Sequence, residues 1–159
     1  MRRKQLDHMQ CSIAKALDVV GDPWTMLILR DALLGVTRFE DFFTRLAVPR
    51  ATLTTRLDHL CATGVLERRR YQDRPSRDEY VLTDQGRALR PVVVTLMRWG
   101  DEWIRHDDPP THLIDEATGA RIDPVLVDRT TGTPLDGLHV RAIGEVTDGI
   151  TARSTDRAL

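Results

Sequence analysis

Pro49 to Gly64, PRATLTTRLDHLCATG, carries Leu53, Leu57 and Leu60 at i, i+4 and i+7, which makes one apolar stripe on a helix. The other side of that helix carries Thr52, Thr55 and His59, with Arg50 and Arg56 on its flanks. These groups can reach a phosphate or a base edge. Asp58 would repel phosphate and is expected to face away. A short helix pattern with Phe39, Phe42, Phe43 and Leu46 lies just before, separated by Ala47-Val48-Pro49, and Arg68-Arg69-Arg70 follows in a strand-like run. Helix, tight turn, second helix and a basic strand pair read as a winged helix-turn-helix, in which the second helix enters the major groove.

Toward the N-terminus, Ile13, Ala14, Ala16, Leu17 and Val20 predict a helix over residues 9–20, stopped by Gly21. Asp22-Pro23 supplies an N-cap and a first-turn proline for a second helix through Leu34, apolar on nearly every side and expected to be the buried spine. Thr37-Arg38-Phe39-Glu40 has the capping-box form and opens the phenylalanine helix, whose three rings are expected in the core. Pro49 is placed at the first position of the next helix, and Gly64 closes it. Val65–Tyr71 and Asp78–Thr83 are strand-like, with Pro75-Ser76 in the turn between them. A long helix then runs to about Arg105, kinked or split by Pro91. Its apolar content, from Leu89 through Trp103, predicts a homodimer seam made with the first helix.

Charge is distributed unevenly. The net charge of -1 hides eight arginines against three acids between residues 45 and 77, and six arginines against twelve acids between 101 and 159. Two cysteines exclude a disulfide scaffold, and no apolar run approaches a membrane span, so the expectation is a soluble, cytoplasmic protein. Beyond the linker Asp107-Asp108-Pro109-Pro110, three short strands are expected at 112–114, 121–127 and 138–143, with a disordered tail from about residue 146 and no internal repeat. The expected organisation is a winged-helix and dimerisation domain over 9–107, a β-rich extension over 108–145 and the tail at 146–159.

Cys11-x-Ile13-Ala14-x-Ala16-Leu17, Gly21-Asp22-x-Trp24-Thr25 and Leu27-Ile28-Leu29-Arg30-Asp31 resemble the opening signature of HxlR-type, MarR-like transcriptional regulators. Leu53-x-x-Arg56-Leu57-x-x-Leu60-x-x-x-Gly64-Val65-Leu66-x-Arg68 is similar to their recognition helix and first wing strand. Glu79-Tyr80-x-Leu82-Thr83-x-x-Gly86-x-x-Leu89-x-Pro91, with Trp99-Gly100, matches their wing exit and dimer helix. The resemblance covers about residues 9–105. It implies a bacterial homodimer that binds pseudo-palindromic, double-stranded operator DNA, usually as a repressor, with wings on the flanking backbone. Pro49 stands where such proteins commonly have a small polar cap.

The candidate DNA-binding residues are Arg50, Thr52, Thr55, Arg56, His59, Arg68, Arg70, Arg74 and Arg77. On a strand Arg68 and Arg70 share one face and Arg69 the other. Cys11 falls where the resemblance places a cysteine that senses oxidants in some members. Two readings of it stay open, a redox sensor and a small buried side chain in the dimer seam. A redox or small-molecule effector would act by changing the distance between the two reading helices. The histidines and cysteines lack metal-ligand spacing, and no catalytic fingerprint occurs, so no metal, cofactor or enzyme activity is expected. The rival reading is a winged helix that binds protein through its acidic C-terminal extension.

Overall fold

Asp22 and Pro23 start the element on which the N-terminal unit is built. In the computed structural model, which describes residue 9 and residues 11–140, α1 spans Ser12–Val20, α2 Pro23–Leu33, α3 Phe39–Leu46 and α4 Arg50–Ala62. The strands β1 (Leu66–Gln72) and β2 (Arg77–Leu82) follow, then α5 (Asp84–Arg87) and α6 (Arg90–Trp103). Asp22 caps α2 by accepting from the amides of Trp24 and Thr25 at 3.0 and 3.3 Å. Ile28 and Leu29 of α2, Phe42 of α3, Leu53, Leu57 and Leu60 of α4, and Val65 are all fully buried. Each such side chain contributes about 1.5–3 kcal/mol of hydrophobic stabilisation. The expected spine is therefore present, with one unforeseen feature. Asp31 is also fully buried, and its carboxylate is shared by Arg30 and Arg45 at 2.9 and 3.2 Å. A charge so placed needs both partners, and the pairing with Arg45 fastens α3 to α2.

Several element boundaries differ from the sequence expectation for local reasons. α1 begins at Ser12 rather than residue 9. The capping box does not form: Arg38 is the N-cap of α3 without a side-chain bond, because the chain at Thr37-Arg38 is extended against the wing. Tyr80 donates its amide to the Thr37 carbonyl at 2.7 Å, and Arg38 forms an isolated bridge with Glu79. Of the three phenylalanines only Phe42 is fully buried. Phe39 and Phe43, one turn apart, form a half-buried shelf beneath the Arg50 guanidinium, 5.5 and 4.3 Å from their ring centres. Pro49 is the N-cap of α4, one position earlier than expected. Gly64, at φ +75, then turns the chain into β1, a backbone angle that favours glycine.

β1 and β2 pair antiparallel, with Leu66 opposite Leu82, Arg68 opposite Tyr80 and Arg70 opposite Asp78, and a bulge lies between Arg70 and Gln72. Gly86 of α5 sits so close to the Val65 carbonyl that a β-carbon there would lie 2.3 Å from it. Glycine is thus required where α5 crosses the start of the wing. The break between α5 and α6 comes just ahead of Pro91, the split expected from that proline.

The described residues fall into two compact units divided between Val93 and Val94. In the second unit the strands expected at 112–114 and 121–127 are not formed, and the described part of the third, 138–140, is not a strand. Two isolated bridges, Ile114 to Arg121 and Val127 to Pro134, and a 3-10 turn at Leu135–Gly137 take their place. Residues 141–143 and the expected tail lie outside the described residues. The bridges close two matching turns, Asp115-x-x-Thr118-Gly119 and Asp128-x-x-Thr131-Gly132, thirteen residues apart. In each, the aspartate accepts from the threonine amide and hydroxyl. In each the glycine has positive φ, +70 and +71. This duplication corrects the expectation of no repeat: two tight turns so near each other leave only single bridges instead of strands.

Candidate nucleic-acid interface

The 3.6-residue period sorts α4 into three sides. Leu53, Leu57 and Leu60 are buried, while Thr52, Arg56, His59 and Cys61 are half-buried. Arg50, Ala51, Thr54, Thr55, Asp58 and Ala62 are exposed. The outward face therefore runs through 51, 54, 55 and 58, rotated from the face expected at 52, 55 and 59. Thr55 lies on it and donates its hydroxyl to the Ala51 carbonyl at 2.8 Å, which leaves its oxygen able to accept. Thr52 borders it. Thr54 was missed, although the i+4 spacing from Thr54 to Asp58 would have located it.

Three side chains on α4 point elsewhere than the sequence suggests. His59 turns inward, and its Nε2 donates to the Val19 carbonyl at the end of α1 at 3.0 Å. Arg56 turns toward α2 and pairs with Asp22 at 2.8 Å, the two side chains being 30 % and 15 % exposed. Asp58, expected to face away, is on the outward face instead. Arg68 reaches over from β1 to pair with it. The carboxylate is tolerated there because a guanidinium neutralises it.

The remaining arginines divide by partner. Arg50 holds Glu40 with two bonds of 2.8 and 2.7 Å, and this hydrogen bond keeps the Glu40 carboxyl below its ordinary range. Arg69 pairs with Glu67 at 2.9 Å and Arg70 with Asp78 at 3.6 Å. Arg38 lies over the Tyr71 ring at 4.9 Å. Arg74 and Arg77, at the tip and return of the wing, make no side-chain hydrogen bond or close ion pair among the described residues, although the Arg77 charge adds to that of Arg50 in lowering Glu40. Gln72 Nε2 donates to the Arg74 carbonyl at 2.9 Å and orders the tip. Exposed pairs such as Arg50 with Glu40 contribute little to stability, so a phosphate can replace the carboxylate at small cost. The basic surface thus has two immediately available charges, at 74 and 77, and a reserve at 50, 69 and 70.

Cys11 is exposed at the N-cap of α1, and Cys61 is half-buried on α4. Burial pushes the Cys61 thiol up from its ordinary value. Among the described residues no group of three or more His, Cys, Asp or Glu side chains is arranged to hold a metal ion. No helix among them is long and apolar enough to cross a membrane.

Comparison with known proteins gives consistent matches. The family described as HxlR-like helix-turn-helix matches residues 19–108. The HTH-type transcriptional regulator Rv3095 of Mycobacterium tuberculosis is 41% identical over 130 residues, covering 81% of this chain and 82% of that protein. The HTH-type transcriptional regulator YdeP of Bacillus subtilis is 34% identical over 100 residues, 61% of this chain and 77% of YdeP. Among solved structures, PA1607, a candidate transcription factor, is similar with TM-score 0.79 and 34% identity over 89% of this chain and all of that one. The redox regulator HypR in its reduced form is similar with TM-score 0.54 and 32% identity over 57% of this chain and 90% of its own. The likeness to PA1607 therefore runs well past the segment that the family match covers.

Proposed function

This chain belongs to the HxlR-like helix-turn-helix family, a helix-turn-helix transcriptional regulator, and from that premise we propose that it is a homodimeric repressor of pseudo-palindromic operators. Ala51, Thr54 and Thr55 of α4, with Thr52 at their edge, face the bases of a major groove, and Arg74 and Arg77 hold the flanking backbone. Arg50, Arg69 and Arg70 exchange carboxylate for phosphate on contact. The observation that carries this reading is the division of α4 into a fully buried leucine stripe and an exposed, small and polar face beside uncommitted wing arginines.

The dimer is supported by apolar side chains left in solvent. On α6, Val92, Leu96, Trp99 and Trp103 recur at i, i+4, i+7 and i+11 and are 50–66 % exposed. On α1, Ile13 is 70 % exposed. Rows of this kind on a regulator need a partner surface. An effector has a candidate seat in a cleft of about 300 Å³ formed within residues 97–124, beside Arg121 and Ile122.

The test is capture of fragments from a randomised duplex pool by the purified full chain, followed by titration of salt. Enrichment of an inverted repeat, with affinity falling steeply as salt rises, is expected. Binding to no duplex at low salt would overturn the reading in favour of a protein-interaction module.

A further inference from the structure

Asp58 is an anomaly for a surface that meets a polyanion. It lies on the exposed side of α4, one turn beyond Thr54, and its side chain is 53 % exposed. Arg68 is held beside it by two side chains, Asp58 itself and Tyr80. Its Nη2 donates to Asp58 Oδ1 and, at 3.4 Å, to the Tyr80 hydroxyl, and its guanidinium carbon lies 5.3 Å from the centre of the Tyr80 ring. Tyr80 is itself buried and sits opposite Arg68 in the sheet. The guanidinium is therefore positioned before any ligand arrives. Asp58 Oδ2, and Nε and Nη1 of Arg68, have no hydrogen-bond partner among the described residues. One acceptor and two donors are thus left to a ligand on a pair whose side chains are 53 % and 44 % exposed.

A phosphate is a poor match for this arrangement, because Tyr80 keeps the Arg68 guanidinium at the Asp58 carboxylate, so that a phosphate reaching one meets the other. A base-pair edge is a good match. In the major groove a C·G pair presents the cytosine N4 donor next to the guanine O6 and N7 acceptors. Resting on the DNA-binding reading above, the geometry points to Asp58 and Arg68 as a single specificity-determining unit for a C·G pair. Asp58 accepts from cytosine N4, and Arg68 donates to guanine. Arg68 then reads sequence rather than backbone, and Asp58 rejects a pair that offers it only an acceptor.

The experiment is the selection from randomised duplex repeated with Asp58→Ala and Asp58→Asn in the full chain. Asp58 is exposed and packs on nothing in the core, so both variants keep the fold. The native protein is expected to select C·G at one position in each half-site. Asp58→Ala is expected to lose about tenfold of discrimination there, the lower part of the range for one base contact. The preferences at the other positions stay unchanged. Asp58→Asn is expected to move the preference toward adenine, which an amide recognises. Identical selected sequences from native protein and both variants would overturn the assignment, as would Asp58→Ala tightening binding to all sequences alike. A native protein that selects no sequence at any salt would instead remove the DNA-binding reading, and this inference with it.

Discussion

Arg56 and Arg77 are equally plausible phosphate ligands on the basis of sequence, and the structure separates them. Arg77 makes no ion pair among the described residues and stands at the return of the wing, whereas Arg56 is bound to Asp22 at 2.8 Å and is 30 % exposed. Each phosphate neutralised contributes about 0.9 to the slope of log affinity against log salt, so losing Arg77 from both subunits of a dimer lowers it by about 1.8. Over a fourfold rise in salt the native protein should then lose about twelvefold more affinity than Arg77→Ala. Arg56→Ala should leave the slope alone. It removes the partner of a carboxylate that is mostly shielded and is already capping α2, which costs about 1–3 kcal/mol of folding stability. Fluorescence anisotropy with one duplex between 50 and 200 mM salt, together with urea unfolding of each variant, measures both quantities. A native slope in Arg77→Ala would refute the reasoning, and so would a drop in Arg56→Ala with native stability.

Three other outcomes follow from the described geometry. Leu96→Asp or Trp99→Asp on α6 should yield a monomer in sedimentation velocity and lose most operator affinity; a dimer with both charges in place would refute the proposed seam. Mild thiol reagents should modify the exposed Cys11 well before Cys61, whose thiol is shielded and pushed up by burial, as peptide mapping would show. Asp115 is held below its ordinary range by the Thr118 amide and hydroxyl and the Ala117 amide, and Asp128 by the Thr131 hydroxyl and amide and the Thr130 amide. A lowered folded-state pKa contributes stability above the unfolded value, lost as pH falls through the folded one. The two turns should therefore loosen only below the ordinary aspartate range, seen as faster exchange of the Thr118 and Thr131 amides. Native exchange rates at that acidity would argue against the carboxylates as the fastening.

The helices were readable because their signals are local: Asp22-Pro23, the leucine spacing of α4, Gly64 and Pro91 each act within a few residues. The capping box at Thr37 misled because a strand forty residues away claims that backbone first. On the site, the apolar stripe fixed which side of α4 is hidden, but the half-buried borders depend on neighbours. His59 and Arg56 look like surface groups until Val19 and Asp22 are brought beside them, and Asp58 looks misplaced until Arg68 crosses over from β1. The duplicated turn at 115 and 128 was visible as spacing, yet its meaning lies in hydrogen bonds that a sequence does not display.

Val19 lies in the last turn of α1 and Asp22 caps α2, and both are gripped by α4, through His59 and Arg56. Two fastenings one turn apart on a rod oppose rolling as well as sliding, so the rod cannot change its attitude unless the bend that anchors it changes too. Whatever displaces the end of α1 should therefore carry α4 with it. Severing either fastening should leave a protein that still folds but whose grip on the duplex no longer responds to that displacement.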